Sequence, residues 1–501
     1  MSGTSRDTGT GSPTSQSTEQ IRPDDSYKWK AFAAIGISLV TMVASASMVF
    51  VALSQIADDF GVTLRAVSWV VIAQGLTISA FMMPMGRLAD IIGRRKVHLI
   101  GLVIFGGGAV FTAMAPSFGL LILARVVTAI GNSMGQSVGT GMVISVFPTR
   151  ERGKAIGSQT TAVAIGGASG PIIAGLVLQF LPWEALFWML TVPIGIAFVA
   201  GYLILDESRV SQLRQGERPP FDWVGALVSA ATIIITVILI NNPFGVAVMS
   251  PLILGGAATA ASLFALFVWW ELRTDSPMLE LRMFKNLIFS MAVGARFLGF
   301  LGTTAIRFLM PIYLLSVRDI GEAAVGGVLF LTSLGLGVAA QTSGRLGDRF
   351  GERPFAVIGF AVLVLTSVAF ITFTVDTAIW MVMVVLLANG LAMGLWNVPN
   401  NSIIMGSVSR ESFGIIGALT NLTRNVGNVA GQAIASAVVV GVMAADGFDI
   451  PLSEITGDRA ASASFMSGWR LAYILVTVFS LLGLLLSILT KPKHTNQGGS
   501  S

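Results

Sequence analysis

Fourteen stretches of about 20 mostly apolar residues, each long enough to cross a bilayer as a helix, dominate this chain and narrow its fold class to one. They fall near 31–56, 66–88, 97–115, 118–147, 153–180, 185–205, 223–242, 251–270, 287–315, 323–347, 354–375, 377–408, 413–445 and 471–490. Inside hydrocarbon the backbone finds no water, so each stretch must satisfy its own N–H and C=O groups as a helix. The expected fold is an all-α membrane protein with fourteen transmembrane helices. Composition agrees, with 54% of the 501 residues hydrophobic and only 11% charged.

Two short basic segments repeat between these runs. GRLADIIGRRKV starting at Gly86 and GRLGDRFGERPF starting at Gly344 carry Gly, Arg, Leu, Asp, Gly and Arg at matching offsets. The same offset carries the first apolar run onto the ninth, which implies duplicated halves. The expected organisation is two pseudo-symmetric six-helix bundles plus two inserted helices: a disordered cytoplasmic tail over 1–26, an N-terminal bundle over 27–205, a linker with two inserted helices over 206–286, a C-terminal bundle over 287–490 and a second cytoplasmic tail over 491–501.

The formal charge of +5 raises the question of a polyanion partner, and the placement of the basic residues answers it. With both termini in the cytoplasm, Lys28, Lys30, Arg94, Arg95, Lys96, Arg150, Arg273, Lys285 and Arg410 fall on that side, and only Arg65, Arg318, Arg459 and Arg470 face out. This positive-inside bias accounts for the charge, fits an even helix number and excludes nucleic acid as a partner. The expected location is the cytoplasmic (inner) membrane. The absence of cysteine removes disulfides and thiolate chemistry, and two histidines leave little for a metal. No phosphate-binding loop, serine–histidine pairing or carboxylate dyad at bilayer depth supports an enzyme, and no cofactor is expected.

The sequence resembles the major facilitator superfamily, and within it the fourteen-helix drug:proton antiporters. Gly86, Arg87, Leu88, Ala89, Asp90, Gly93, Arg94, Arg95 and Lys96 match the superfamily's signature loop, and Ala164 to Gly175 on helix five resembles the antiporter signature, with Ala174 in place of a glycine. The resemblance implies alternating access between the halves. It also implies a conformational latch made by Gly86, Asp90, Gly93, Arg94 and Arg95 together with Gly344, Asp348 and Arg353. A second reading of this loop is a simple membrane anchor, which would need no aspartate. On helix five, Gly166, Gly170, Pro171 and Gly175 suit either a gate or ordinary close packing.

Charge at bilayer depth is costly and marks a pathway or a partner. Arg125, Asn132 and Gln136 share one face of helix four, Arg296 and Arg307 are aligned on helix nine, and helix thirteen carries Asn421, Asn425 and Asn428 with Arg424 at the margin of their stripe. These residues are the candidate substrate and gating contacts; for the asparagines, interhelical hydrogen bonding is the competing reading. The fourteen runs contain no Asp or Glu, and Ser45 occupies the place where the resemblance would put a proton-coupling aspartate. The expected cavity is therefore positive, favouring anionic or zwitterionic amphiphiles over lipophilic cations. The expected function is a secondary transporter of amphipathic small molecules, most simply an exporter with protons as a candidate partner. The alternatives are an uncoupled facilitator or lipid mover, and a sensor that binds without transporting.

Overall fold

The computed structural model describes residues 25–62, 64–210, 220–241, 246, 250–448 and 459–490. The two expected tails lie outside this set, apart from Asp25 and Ser26, which open the first helix; residues 211–219 of the linker and 449–458 of the last long loop lie outside it as well.

Fourteen long helices run through the described residues. The N-terminal six are α1 (Asp25–Asp59), α2 (Trp69–Ile92), α3 (Arg94–Ala113), α4 (Phe118–Val146), α5 (Arg152–Val177) and α6 (Glu184–Ile204). The inserted pair is α7 (Trp223–Asn241) and α8 (Pro251–Glu271). The second six are α9 (Leu287–Ile312), α10 (Glu322–Phe350), α11 (Glu352–Ile371), α12 (Ile379–Gly406), α13 (Phe413–Ala445) and α14 (Arg459–Leu489). Apolar length sets the helices, but several run about a turn beyond the apolar run. That extension brings Asp90 into α2, Glu271 into α8 and Asp348 into α10.

The packing pairs reproduce the duplication. In the first half α1 packs on α5 and α6, α2 on α4, and α3 on α4 and α6; in the second half α9 packs on α13 and α14, α10 on α12, and α11 on α12 and α14. The halves meet reciprocally, α5 against α10 and α2 against α13. Helices α7 and α8 pack on each other, and α7 rests on α2 and α13, so the inserted hairpin sits beside one of the two seams. The hairpin is tied together at its base, where the Trp270 indole N–H donates to Asp222 (2.9 Å) and the Leu279 N–H donates to Glu271 (3.0 Å).

Glycine does two distinct jobs at the repeated loops. Gly93 and Gly351 stand at φ 110° and 89°, a region that an L side chain avoids, and each turns one helix directly into the next. At the α5–α10 seam, Gly153 and Gly344 bring backbone against backbone, and Gly157 lies equally close to the Ala340 carbonyl. A Cβ on Gly344 would collide with the carbonyl of Gly153. Gly344→Val is expected to cost about 1–3 kcal/mol through overpacking and to lower the thermal midpoint of the purified protein. Gly175→Ala, which meets nothing within 4 Å, is expected to leave that midpoint unchanged.

Candidate functional site

A cavity of about 390 Å³ lies between the halves, walled by α1, α2, α4 and α5 on one side and by their counterparts α9, α10, α12 and α13 on the other. That volume is in the range that holds a drug-sized ligand. Three of the four intramembrane arginines line it: Arg296, Arg307 and Arg424. Arg296 is buried; its Nε donates to the Thr420 carbonyl (3.0 Å), its Nη1 donates to Asn397 (2.8 Å), and its guanidinium lies over the Phe300 ring at 5.0 Å. Arg424 reaches across to the first half, donating to the Gln136 side chain at 2.9 Å, while Asn421 donates to the Gln136 carbonyl at 3.0 Å. Arg307 differs from both. Its side chain is exposed to the cavity and makes no hydrogen bond or ion pair with any described residue.

The polar stripes sort themselves by this geometry. Gln136, Asn421, Asn425 and Asn428 line the cavity, and Asn428 also accepts a hydrogen bond from the Thr304 hydroxyl (2.7 Å). Asn132 is fully buried behind the wall, where its side-chain oxygen accepts from Gln136 at 2.6 Å and so orients the group that Arg424 meets. Arg125, expected on the same face, does not reach the cavity. Helix α2 gives Gln74 to Arg125 as a hydrogen-bond acceptor and the next residue, Gly75, to the cavity wall. Helical angle alone placed Arg125 correctly on α4 but says nothing of what packs against it.

No Asp or Glu is among the described residues that line it. Asp90, Asp222 and Glu271 are nonetheless buried, beyond the ends of the apolar runs and outside the cavity lining. Residues that the sequence reading missed include Asn397 and Asn401, which line the cavity from α12. The signal for them was present, since Asn389, Asn397, Asn400 and Asn401 interrupt an otherwise apolar run.

Below the cavity the repeated loops make matching contacts. Asp90 of α2 accepts from the backbone N–H groups of Gly414 (3.0 Å) and Ile415 (2.9 Å) at the start of α13. Asp348 of α10 accepts from Gly153 (2.6 Å) and Lys154 (2.8 Å) at the start of α5. Each half thus offers a carboxylate to the N-terminus of a helix in the other, where unpaired N–H groups and the helix dipole favour negative charge. The two are not identical, because Arg94 pairs with Asp90 (3.0 Å) and also donates to the Arg410 carbonyl (2.9 Å), whereas Glu352 stands at the equivalent place in the second loop. Gly86 packs on Gly414 and Ala418, and Gly344 on Gly153. Arg95 and Arg353 turn away from the seams, each to a carbonyl in its own half, Tyr202 and Ile488 respectively. On α5, Gly166 packs on the Val40 backbone and Gly170 on Ala44 and Ser47, all of α1, while Pro171 is exposed and Gly175 meets open space. That glycine face joins helices within one half.

Comparison with known proteins follows this architecture. The family model of the Major Facilitator Superfamily matches residues 33–432 and 292–501. The riboflavin transporter RibZ of Clostridioides difficile is 28% identical over 82% of this chain and 88% of its own length. The multidrug resistance protein Stp of Mycobacterium tuberculosis is 26% identical over 82% and 76%, and the lincomycin resistance protein LmrB of Listeria innocua is 24% identical over 87% and 91%. Among solved structures, the human organic anion transporter MFSD10 superposes with a TM-score of 0.65 at 15% identity, covering 92% of this chain and 99% of that one, a likeness of fold. Duplicated halves, a cavity between them and a matching family model over most of the chain agree: the protein belongs to the Major Facilitator Superfamily and is a membrane transporter, not an enzyme.

Proposed function

We propose that this protein exports amphipathic small molecules of anionic or zwitterionic character across the cytoplasmic membrane by alternating access. The observation that carries the reading is the charge of the cavity: three arginines, no acid among the described residues that line it, and one guanidinium, that of Arg307, left open. Arginine keeps its proton at any working pH, so the positive charge is permanent. Asparagines and Phe300 supply the remainder of an amphiphile's surface with amide hydrogen bonds and an aromatic face.

The positive-inside distribution puts both termini, and with them the repeated loops, on the cytoplasmic side. The contacts between Asp90 and α13 and between Asp348 and α5 then hold the cytoplasmic end shut, which makes this an outward-facing arrangement. Rocking toward the cytoplasm requires both carboxylates to release their N–H partners. A second reading, an uncoupled facilitator or lipid mover, draws on the same cavity. Among the described residues of its walls no carboxylate is present to carry a proton. The drug-resistance relatives favour export, and the riboflavin transporter keeps other cargoes open.

Two experiments test this. In proteoliposomes with pH and voltage gradients imposed separately, an anionic amphiphile is expected to move faster than its cationic analogue, and Arg307→Gln is expected to reduce that flux by about tenfold, the effect of losing about 1.4 kcal/mol of charge-assisted binding. Loss of flux on collapsing the pH gradient alone would favour proton coupling over the facilitator; equal flux of both amphiphiles would remove the charge argument. The absence of native cysteine makes the latch measurable. With Thr140→Cys as a reporter in the cavity wall, Asp90→Asn is expected to raise the rate of labelling by an impermeant maleimide from the cytoplasmic side about tenfold, since hydrogen bonds to a charged acceptor contribute roughly 1.5–3 kcal/mol.

A further inference from the structure

Arg125 stands apart from the transport cavity. Its side chain has 0% exposure, and the Phe187 ring covers its guanidinium at 5.2 Å. Only Nη2 is engaged, by the Gln74 side-chain oxygen. Its Nε and Nη1 are buried without an acceptor among the described residues, and so is the Nε2 of Gln74. The hydrogen-bonded pair therefore presents three unpaired donor nitrogens, and its one acceptor oxygen is already turned to Arg125. No carboxylate pairs with the guanidinium among the described residues.

We propose that these donors hold a small inorganic anion, chloride, as the counter-charge of Arg125. A guanidinium does not escape burial by losing its proton, and an unpaired cation in a low-dielectric interior is unfavourable. A halide accepts from guanidinium and amide N–H groups together. Complete burial under Phe187 suits a monatomic ion, whereas an organic anion is better served by the open cavity around Arg307. The site is separate from the transport cavity, since Arg125, Gln74 and Phe187 are not among the residues that line it. It does not depend on the cargo being anionic.

The test follows the thermal midpoint of the purified protein in nanodiscs as sodium chloride replaces sodium gluconate at constant ionic strength. A saturable rise is expected in the wild type and in Arg307→Gln. In Gln74→Glu, which places a tethered carboxylate on Arg125 with little change of shape, the chloride response is expected to vanish. A flat wild-type response would overturn the proposal. So would an equal response in Gln74→Glu, or a response lost in Arg307→Gln and kept in Gln74→Glu; the last result would put the anion in the cavity and leave the transport reading intact. If Gln74→Glu does not fold, binding of radiolabelled chloride to the wild type decides. Chloride retained against a saturating anionic amphiphile supports the site, and no binding or full displacement overturns it.

Discussion

A permanent positive charge inside a bilayer is costly to leave unpaired, and the different surroundings of the three cavity arginines organise this site. Arg296 is met by a carbonyl, an amide and an aromatic ring within its own half. Arg424 is met by Gln136 from the opposite half, so its contact exists only while the two halves are close at that level. Arg307 is met by nothing in the described protein and faces open space. This gradation separates charge used for architecture, charge that reports on conformation and charge available to a ligand.

The acids are placed by the complementary logic. Among the described residues none lines the cavity, and Asp90 and Asp348, near the ends of their helices, each satisfy the first N–H groups of a helix across the seam. A carboxylate on two backbone donors is a strong but short-ranged contact that a rigid-body rotation breaks all at once. Two such contacts related by the internal repeat would let that end of the bundle open and close as a unit. Glycines at the same seams let the backbones approach closely enough for those bonds to form. The inserted hairpin, leaning on α2 and α13 beside one seam, is positioned to feel that motion.

Much of this was legible in the sequence. Apolar run length gave the helix number, and the offset between the Gly86 and Gly344 loops gave the pseudo-symmetry, because both are local properties of the chain. The polar stripe of α13 was readable because helical periodicity fixes which residues share a face. What the sequence could not supply was depth and occlusion. Arg125 and Gln136 share a face of α4, yet Arg125 is buried against Gln74 and Phe187 while Gln136 lines the cavity. Asp90 and Asp348 lie just beyond the apolar runs, so hydropathy read them as loop residues although the helices continue through them. The glycines of α5 carry no label saying which helix they pack on, and their partner is α1 in the same half.

Selection of the ligand by the fixed positive charge of the cavity is the property that all of this rests on. The most direct measurement is the affinity of the purified protein for two fluorescent amphiphiles that share one hydrophobic body and differ only in head group, a sulfonate and a trimethylammonium. Tighter binding of the sulfonate, weakening with added salt and largely lost in Arg307→Gln, is the predicted result. Tighter binding of the trimethylammonium compound, or sulfonate binding indifferent to Arg307, would contradict it.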